Sequence, residues 1–120
     1  MLRILLIDDD TQITGLLDNF LVREGHTVFT ACNGKEGLKL VDTVTFDLVI
    51  TDIIMPEQDG LGVLMSLKNR PIRPKIIAMS GGSTSLDQEH LLDMAKLIIA
   101  DVVINKPIQL SYLSVIINGM

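Results

Sequence analysis

The chain has 120 residues, a net charge of −5 and an apolar fraction of 48%. This length fits one domain, residues 1–120, that can bury roughly two-thirds of its unfolded surface without cross-links. The acidic balance and four scattered aromatic residues argue against direct nucleic-acid binding, and no apolar run approaches the roughly 20 residues that span a bilayer.

Short apolar runs alternate with amphipathic stretches, which predicts repeated βα units around a parallel sheet that is buried on both faces. The first strand covers Arg3 to Ile7 and is followed directly by three acids, Asp8, Asp9 and Asp10. A helix then runs until Gly25 ends it. Its apolar residues stand at helical spacing: Ile13, Leu16, Leu17, Phe20 and Leu21.

The second unit has a strand at Thr27 to Ala31 and a helix that Asn33 opens. Asn33 with Glu36 three residues later is an Asn variant of the capping box. Cys32, the only cysteine, cannot pair within the chain. Together with the missing signal sequence, this favours a reducing, cytoplasmic setting, and we interpret Cys32 as a small hydrophobic residue near a strand end rather than a reactive thiol.

The third unit begins with a strand at Leu48 to Thr51, which ends in Asp52. A turn-rich stretch follows, and then a short helix before Pro71 and Pro74. The apolar residues that fit this helix are Leu61, Leu64, Met65 and Leu67.

The fourth strand, Lys75 to Met79, ends in Ser80, and the fifth, Val102 to Ile104, ends in Asn105, Lys106 and Pro107. Between them we predict a loop over residues 81–87 and a helix over residues 91–98. A last helix begins at about Gln109. Its apolar face is predicted to carry Leu110, Leu113, Ile116 and Ile117.

Polar side chains thus follow four of the five predicted strands: Asp8, Asp9, Asp52, Ser80 and Lys106. In an open parallel sheet, ligands bind outside the carboxyl ends of the strands, so these groups are expected to converge on one site. Three carboxylates in one place repel unless a divalent cation neutralises them, and Mg²⁺ prefers oxygen ligands. The sequence therefore predicts a site for Mg²⁺ and a phosphoryl group.

These residues together resemble the receiver domain of bacterial two-component response regulators, including the single-domain chemotaxis regulators. The resemblance covers the whole chain and rests on four elements in order: the pair Asp8 and Asp9, the stretch D-x-x-M-P-x-x-D-G from Asp52, Ser80, and Lys106 followed by Pro107. It implies a doubly wound (βα)5 fold of the flavodoxin-like type, with five parallel strands in the order 2-1-3-4-5.

The resemblance also implies a role for each residue of the site. Asp52 would take a phosphoryl group from the phosphohistidine of a histidine kinase or phosphotransfer protein, with Lys106 and Ser80 binding the phosphoryl oxygens. Asp9, Asp52 and the carbonyl of Ile54 would be direct Mg²⁺ ligands, and Asp8 would act mainly through a bound water. Such a domain is a self-phosphorylating signalling module and not a turnover enzyme.

Family resemblance also bears on output and on the lifetime of the phosphoryl group. The output would be either docking to a downstream protein or transfer of the phosphoryl group onward in a phosphorelay. Either route would use the face formed by the fourth predicted helix, the fifth strand and the last helix. The candidate residues on this face are Leu86, Ile99, Tyr112 and Val115. Valine at position 103 replaces the aromatic residue that many receivers use to couple phosphorylation to this face. Neither Ile54 nor Gly82 can hold an attacking water, so slow self-hydrolysis is expected.

Three other interpretations remain open from the sequence. A degenerate receiver could bind partners without phosphorylation, which Val103 mildly favours although every acid, hydroxyl and lysine position is filled. A haloacid-dehalogenase-type enzyme also uses an aspartate nucleophile and Mg²⁺, but the chain is short for that fold and Asp52 would lack a role. A flavin-binding relative shares the strand order, but the acids after the first strand would repel a cofactor phosphate.

Overall fold

The structure, a computed structural model, describes residues 1–52, 60–80 and 100–120. Its sheet has five parallel strands in the order β2-β1-β3-β4-β5. These are β1 (Arg3–Ile7), β2 (Thr27–Ala31), β3 (Leu48–Asp52), β4 (Lys75–Ser80) and β5 (Val102–Asn105). The predicted doubly wound α/β fold and strand order are confirmed, and β3, β4 and β5 each extend one residue beyond the predicted strand.

Four helices lie within the described residues: α1 (Thr11–Arg23), α2 (Gly34–Thr43), α3 (Gly60–Lys68) and a C-terminal helix (Leu110–Asn118). The helix predicted over residues 91–98 lies outside the described residues. Gly25, which follows α1, has a φ of 95°, a left-handed conformation that glycine adopts at little cost. The predicted end of α1 is therefore explained by the backbone conformation that its glycine permits.

Side chains of the capping residues account for two of the helix starts. Asp10 Oδ1 accepts hydrogen bonds from the N–H groups of Gln12 and Ile13 at the start of α1. Asn33 Oδ1 accepts from Glu36 N at 2.8 Å at the start of α2, as predicted. The Glu36 carboxylate does not complete the usual capping box, because its Oε2 accepts from the N–H of Cys32, one residue before the cap.

The core has two layers because successive side chains of a strand point to opposite faces of the sheet. Ile4 and Leu6 of β1 belong to the layer that α1 and the C-terminal helix cover. Leu5 and Ile7 belong to the other layer, with Val63 and the rest of the buried face of α3. These four apolar side chains of β1 are fully buried, as the apolar run in the sequence predicts.

Two helical residues that shared the predicted apolar spacing do not join these layers. The Leu16 side chain on α1 is 54% exposed, and Met65 on α3 is 51% exposed. On α1 the apolar residues cover a wider arc than the sheet can bury, so Leu17 and Leu21 fill the core while Leu16 lies at its edge. The sequence pattern identified the helix correctly but not its full buried face.

Candidate functional site

Strand register places four of the predicted site residues at the carboxyl end of the sheet. Asp8 directly follows β1, Asp52 ends β3, and Ser80 ends β4, where it pairs in register with Asn105 of β5. Lys106 follows β5, and its N–H donates to the carbonyl oxygen of Ser80 at 2.7 Å. The parallel order of the central strands thus brings residues far apart in the chain to one edge.

Three carboxylates meet at this edge. Asp8, Asp9 and Asp52 each offer a carboxylate oxygen, and these atoms all lie within 4.8 Å of one another. Asp8 is 1% exposed and Asp52 is 5% exposed, whereas Asp9 is open to solvent. Buried carboxylates this close repel one another strongly, so the cluster needs a nearby positive charge.

Lys106 supplies one positive charge. Its Nζ lies 3.0 Å from Asp8 Oδ2 and 3.0 Å from Asp52 Oδ2. Burial alone would lower the pKa of the Lys106 ammonium. The hydrogen bonds to Asp8 and Asp52, together with their negative charges, outweigh that effect and raise the pKa above its ordinary value. Lys106 is therefore held as an ammonium between two buried carboxylates.

Asp8 is fixed by the backbone around it as well as by Lys106. Its Oδ1 accepts from Asp10 N at 2.9 Å, and its own N–H donates to the carbonyl oxygen of Ala31 at 3.1 Å. Asp10 in turn caps α1. Hydrogen bonds to both Asp8 oxygens orient this carboxylate before any ligand binds.

The ammonium of Lys106 alone does not balance the charge of the three carboxylates, so a divalent cation would stabilise the cluster. Clustered carboxylate oxygens are the donors that Mg²⁺ prefers, and the described residues Asp8, Asp9 and Asp52 fit such an ion. Ile54, whose carbonyl was the fourth predicted ligand, lies outside the described residues. The same is true of Gly82, so the expected slow hydrolysis stays a prediction.

Thr51 is a residue near the site that sequence reasoning missed. Its side chain is fully buried on the strand that ends in Asp52, and its Oγ1 donates to the carbonyl oxygen of Asp52 at 3.0 Å. A hydroxyl in an otherwise aliphatic, fully buried strand was the signal that could have identified it. This hydrogen bond restrains the backbone at Asp52, where β3 ends.

The other predicted residues that the structure describes lie on the C-terminal helix and on β5. Tyr112 and Val115 on the C-terminal helix are 51% and 70% exposed, and Val103 on β5 is half-buried. Leu86 and Ile99 lie outside the described residues. Cys32 is exposed and directly follows the edge strand β2, so its predicted position near a strand end is confirmed.

Within residues 1–52, 60–80 and 100–120, no helix combines the length and the apolar character needed to cross a membrane.

Comparison with known proteins adds a family model and several relatives. A model described as the response regulator receiver domain matches residues 4–118. The transcriptional regulatory protein DltR of Streptococcus agalactiae is 31% identical over 108 residues, which is 90% of this chain and 46% of DltR. CpxR of Escherichia coli is 37% identical over 83 residues, which is 69% of this chain and 35% of CpxR. The chain therefore spans less than half the length of these two regulators.

A solved structure is similar over almost its whole length. The response regulator protein TrrA of Thermotoga maritima, crystallised in complex with Mg²⁺-BeF, matches with a TM-score of 0.83 and 33% sequence identity. The match covers 99% of this chain and 98% of TrrA.

Proposed function

The chain belongs to the response regulator receiver domain family, whose members are signalling modules of two-component systems and not turnover enzymes, and we propose that Asp52 is its phosphoacceptor. The phosphoryl donor would be the phosphohistidine of a histidine kinase or phosphotransfer protein. One observation carries the proposal: Lys106 Nζ lies 3.0 Å from the carboxylate of Asp52, one of the two buried acids in the cluster of three.

The nucleophile of the transfer would be a carboxylate oxygen of Asp52. At 5% exposure the Asp52 side chain is largely shielded from water, which favours transfer to the carboxylate over hydrolysis of the donor. The ammonium of Lys106 also donates a hydrogen bond to Asp8, which orients it. It would bind the phosphoryl oxygens during the transfer to Asp52. Positioning and charge stabilisation make up most of such a reaction.

Two further groups complete the proposed chemistry. Asp8, Asp9 and Asp52 would hold a Mg²⁺ ion, which when bound neutralises the acidic cluster and the incoming phosphoryl oxygens. Support for the ion comes from the three oxygen donors and from the Mg²⁺-BeF complex of the similar protein TrrA. The hydroxyl of Ser80, buried at the end of β4, would donate a hydrogen bond to a phosphoryl oxygen.

Output would follow from docking to a downstream protein, or from passing the phosphoryl group onward. Tyr112 and Val115 expose apolar surface on the C-terminal helix and are the described candidates for this contact. The similar proteins DltR and CpxR are transcriptional regulators that are longer than this chain. For this chain, a cytoplasmic location and the absence of direct nucleic-acid contact are part of the proposal.

A second candidate function, favoured by Val103, is a receiver that binds partners without phosphorylation. Valine has no ring to change rotamer, so the side-chain coupling used by many receivers is missing at this half-buried position. The phosphorylation experiment below separates the two candidates.

The test is the intact mass of the protein after incubation with acetyl phosphate and Mg²⁺, and then with a phosphohistidine donor. We expect a gain of one phosphoryl group that is lost in Asp52→Asn and in the presence of a chelator. Asp47→Asn, at the other end of the sheet, is the matched control and should gain the group normally. A folded protein that binds Mg²⁺ but gains nothing from either donor would instead support the phosphorylation-independent module.

A further inference from the structure

An apolar pocket lies at the amino-terminal end of the sheet, the opposite end from Asp8 and Asp52. It opens between the segment that leaves α2 and the segment that joins α3 to β4, and its volume is about 200 Å³. The Arg70 side chain lines it, so we call it the Arg70 pocket. Its apolar walls are Val41, Val44, Phe46, Pro71, Ile72 and Pro74.

The pocket combines a fixed buried end with an exposed edge. Phe46 is 4% exposed, and its ring packs edge-on against Phe29 with the ring centroids 5.3 Å apart. Pro71 and Pro74 restrict the backbone on the other side. Between them Ile72 is 72% exposed. This isoleucine gains burial only when another molecule covers the pocket.

The size of the pocket indicates what enters it. Small-molecule sites typically measure about 300–1,000 Å³, which is more than the Arg70 pocket offers. An apolar cavity of about 150 Å³ holds one benzene ring. The pocket therefore suits one side chain of the size of leucine or phenylalanine rather than a whole metabolite.

The rim of the pocket is positively charged although the whole chain has a net charge of −5. Residues 68–75 contain no acid and carry four of the ten Lys and Arg residues: Lys68, Arg70, Arg73 and Lys75. Lys68 and Lys75 are exposed and form no ion pair with an acid that the structure describes. Such a local positive region complements the carboxylates of a partner.

Arg70 itself has a donor that its present contacts do not use. Its Nη1 lies 2.6 Å from Asp42 Oδ1, and the Asp42 side chain is 63% exposed. Its Nε is buried and finds no acceptor among the described residues. Turning the guanidinium towards a carboxylate in the pocket therefore costs no hydrogen bond at Nε. The Nε and Nη2 edge of an arginine binds a carboxylate through two parallel hydrogen bonds.

We propose that the Arg70 pocket docks an acidic segment of a partner protein. The segment inserts one leucine-sized or phenylalanine-sized side chain beside Val44 and Ile72, and its carboxylates contact the cationic rim. The inference does not depend on the proposed function. Because the pocket and the phosphoacceptor site lie at opposite ends of the sheet, a partner bound here leaves Asp52 accessible to a phosphoryl donor.

The probe for the first test is a blocked pentapeptide with a central leucine and two acidic residues on each side. We expect saturable NMR shifts of the Val41, Val44 and Ile72 methyl groups on titration with this peptide. A peptide with glycine in place of leucine, and one with lysines in place of the acids, should each bind much more weakly. Binding should also weaken severalfold between about 20 and about 200 mM salt, because the charges on the rim are exposed.

Variants of the chain assign the binding to the pocket. Ile72→Ser should weaken the peptide about tenfold, because it removes an apolar contact at an exposed position that the fold does not need. Arg70→Gln should weaken it about threefold, as for one partly exposed ion pair. The matched controls are Val22→Ser and Lys35→Gln, two exposed positions outside the pocket, which should leave the affinity unchanged.

Phosphorylation of Asp52 by acetyl phosphate should proceed at the same rate in Ile72→Ser and wild type, so the two proposals can fail separately. The inference is overturned if the leucine peptide causes no saturable shifts, or if Ile72→Ser binds it as tightly as wild type does. It is also overturned if the glycine peptide or a short single-stranded DNA shifts the same methyl groups as strongly. The surface would then attract anions in general and would not recognise an acidic protein segment.

Discussion

The aspartates at the two ends of the sheet make different contacts: those at one end bind backbone groups, and those at the other end lie close to one another. At the amino-terminal end, Asp47 and Asp101 each stand just before a strand and bind the backbone of the neighbouring strand. Asp101 N donates to the carbonyl oxygen of Ile76 at 2.9 Å, and Asp101 Oδ2 accepts from Ile76 N at 2.7 Å. Asp47 makes the same two-way exchange with Arg3, at 2.9 and 2.8 Å.

At the carboxyl end, by contrast, the carboxylates face one another. Carboxylate oxygens of Asp8, Asp9 and Asp52 lie within 4.8 Å of one another, and Lys106 balances part of their charge through its ion pairs with Asp8 and Asp52. A carboxylate that accepts a backbone N–H stabilises the fold, whereas one packed against others costs stability until a cation binds. Asp47 and Asp101 thus serve the fold alone, whereas the cluster at the carboxyl end combines a backbone hydrogen bond at Asp8 with repulsion that a bound cation would relieve.

Removal of the Asp101 carboxylate should give the largest change in stability. Asp101→Ala leaves the N–H of Ile76, a fully buried residue, without its side-chain acceptor. We expect a loss of about 2 kcal/mol in the free energy of unfolding, as for other unsatisfied buried donors. Urea denaturation measures it.

Asp47→Ala tests the same loss of an acceptor at an exposed position. Its partner Arg3 is exposed, so water can replace the lost carboxylate. The loss there should stay below about 1 kcal/mol. Asp101→Asn keeps an acceptor oxygen and should recover most of the stability. Equal losses at positions 47 and 101 would contradict the role assigned to burial.

At the carboxyl end the expected change has the opposite sign. Asp52→Asn removes one negative charge from the cluster, so in chelator the variant should be more stable than wild type by about 1 kcal/mol. Mg²⁺ should narrow this difference at ten times the Kd, where wild type gains about 1.4 kcal/mol and the variant gains less, and should reverse it at higher Mg²⁺ concentrations. Thermal or urea unfolding with and without Mg²⁺ measures both effects.

The matched control is Asp47→Asn, which should respond to Mg²⁺ as wild type does. If Asp52→Asn were less stable than wild type in chelator, the attraction between Asp52 and Lys106 would outweigh the repulsion among the acids.

The two ends of the sheet also differ in how far the sequence could predict them. Asp8 and Asp52 follow apolar runs, and a carboxylate after a buried strand is a recognisable signal of a site. Asp47 and Asp101 precede such runs, where they look like ordinary loop acids. Their exchanges with Arg3 and Ile76 depend on which strands are neighbours, which is a property of the tertiary fold.

The exposed position of Leu16 was missed for a related reason. Helical periodicity shows that an apolar face exists, but the width of the sheet beneath it decides how many of its residues are buried. Likewise, the number of residues between Lys106 and the acids in the sequence does not give the distance between their side chains in the fold. The contacts of its ammonium with both Asp8 and Asp52 required the folded register of β1, β3 and β5.

The smallest expected effect concerns the pH dependence of Lys106. Hydrogen bonds and charges of Asp8 and Asp52 raise the pKa of this ammonium in the folded state above the ordinary value of 10.5. Between the unfolded and folded pKa values the native protein binds more protons than the unfolded chain, so stability falls as pH rises. The contribution is fully present below about pH 10.5 and is lost as pH rises through the folded pKa.

Lys106→Met should therefore show a shallower decline in stability than wild type above pH 10.5, measured by urea unfolding in chelator at closely spaced pH values. The same substitution at the exposed Lys35 should leave the decline as steep as in wild type. If Lys106→Met declined as steeply as wild type, the ammonium would gain nothing from Asp8 and Asp52 on folding. The repulsion at the carboxyl end of the sheet would then be balanced by Mg²⁺ alone and not in part by the chain itself.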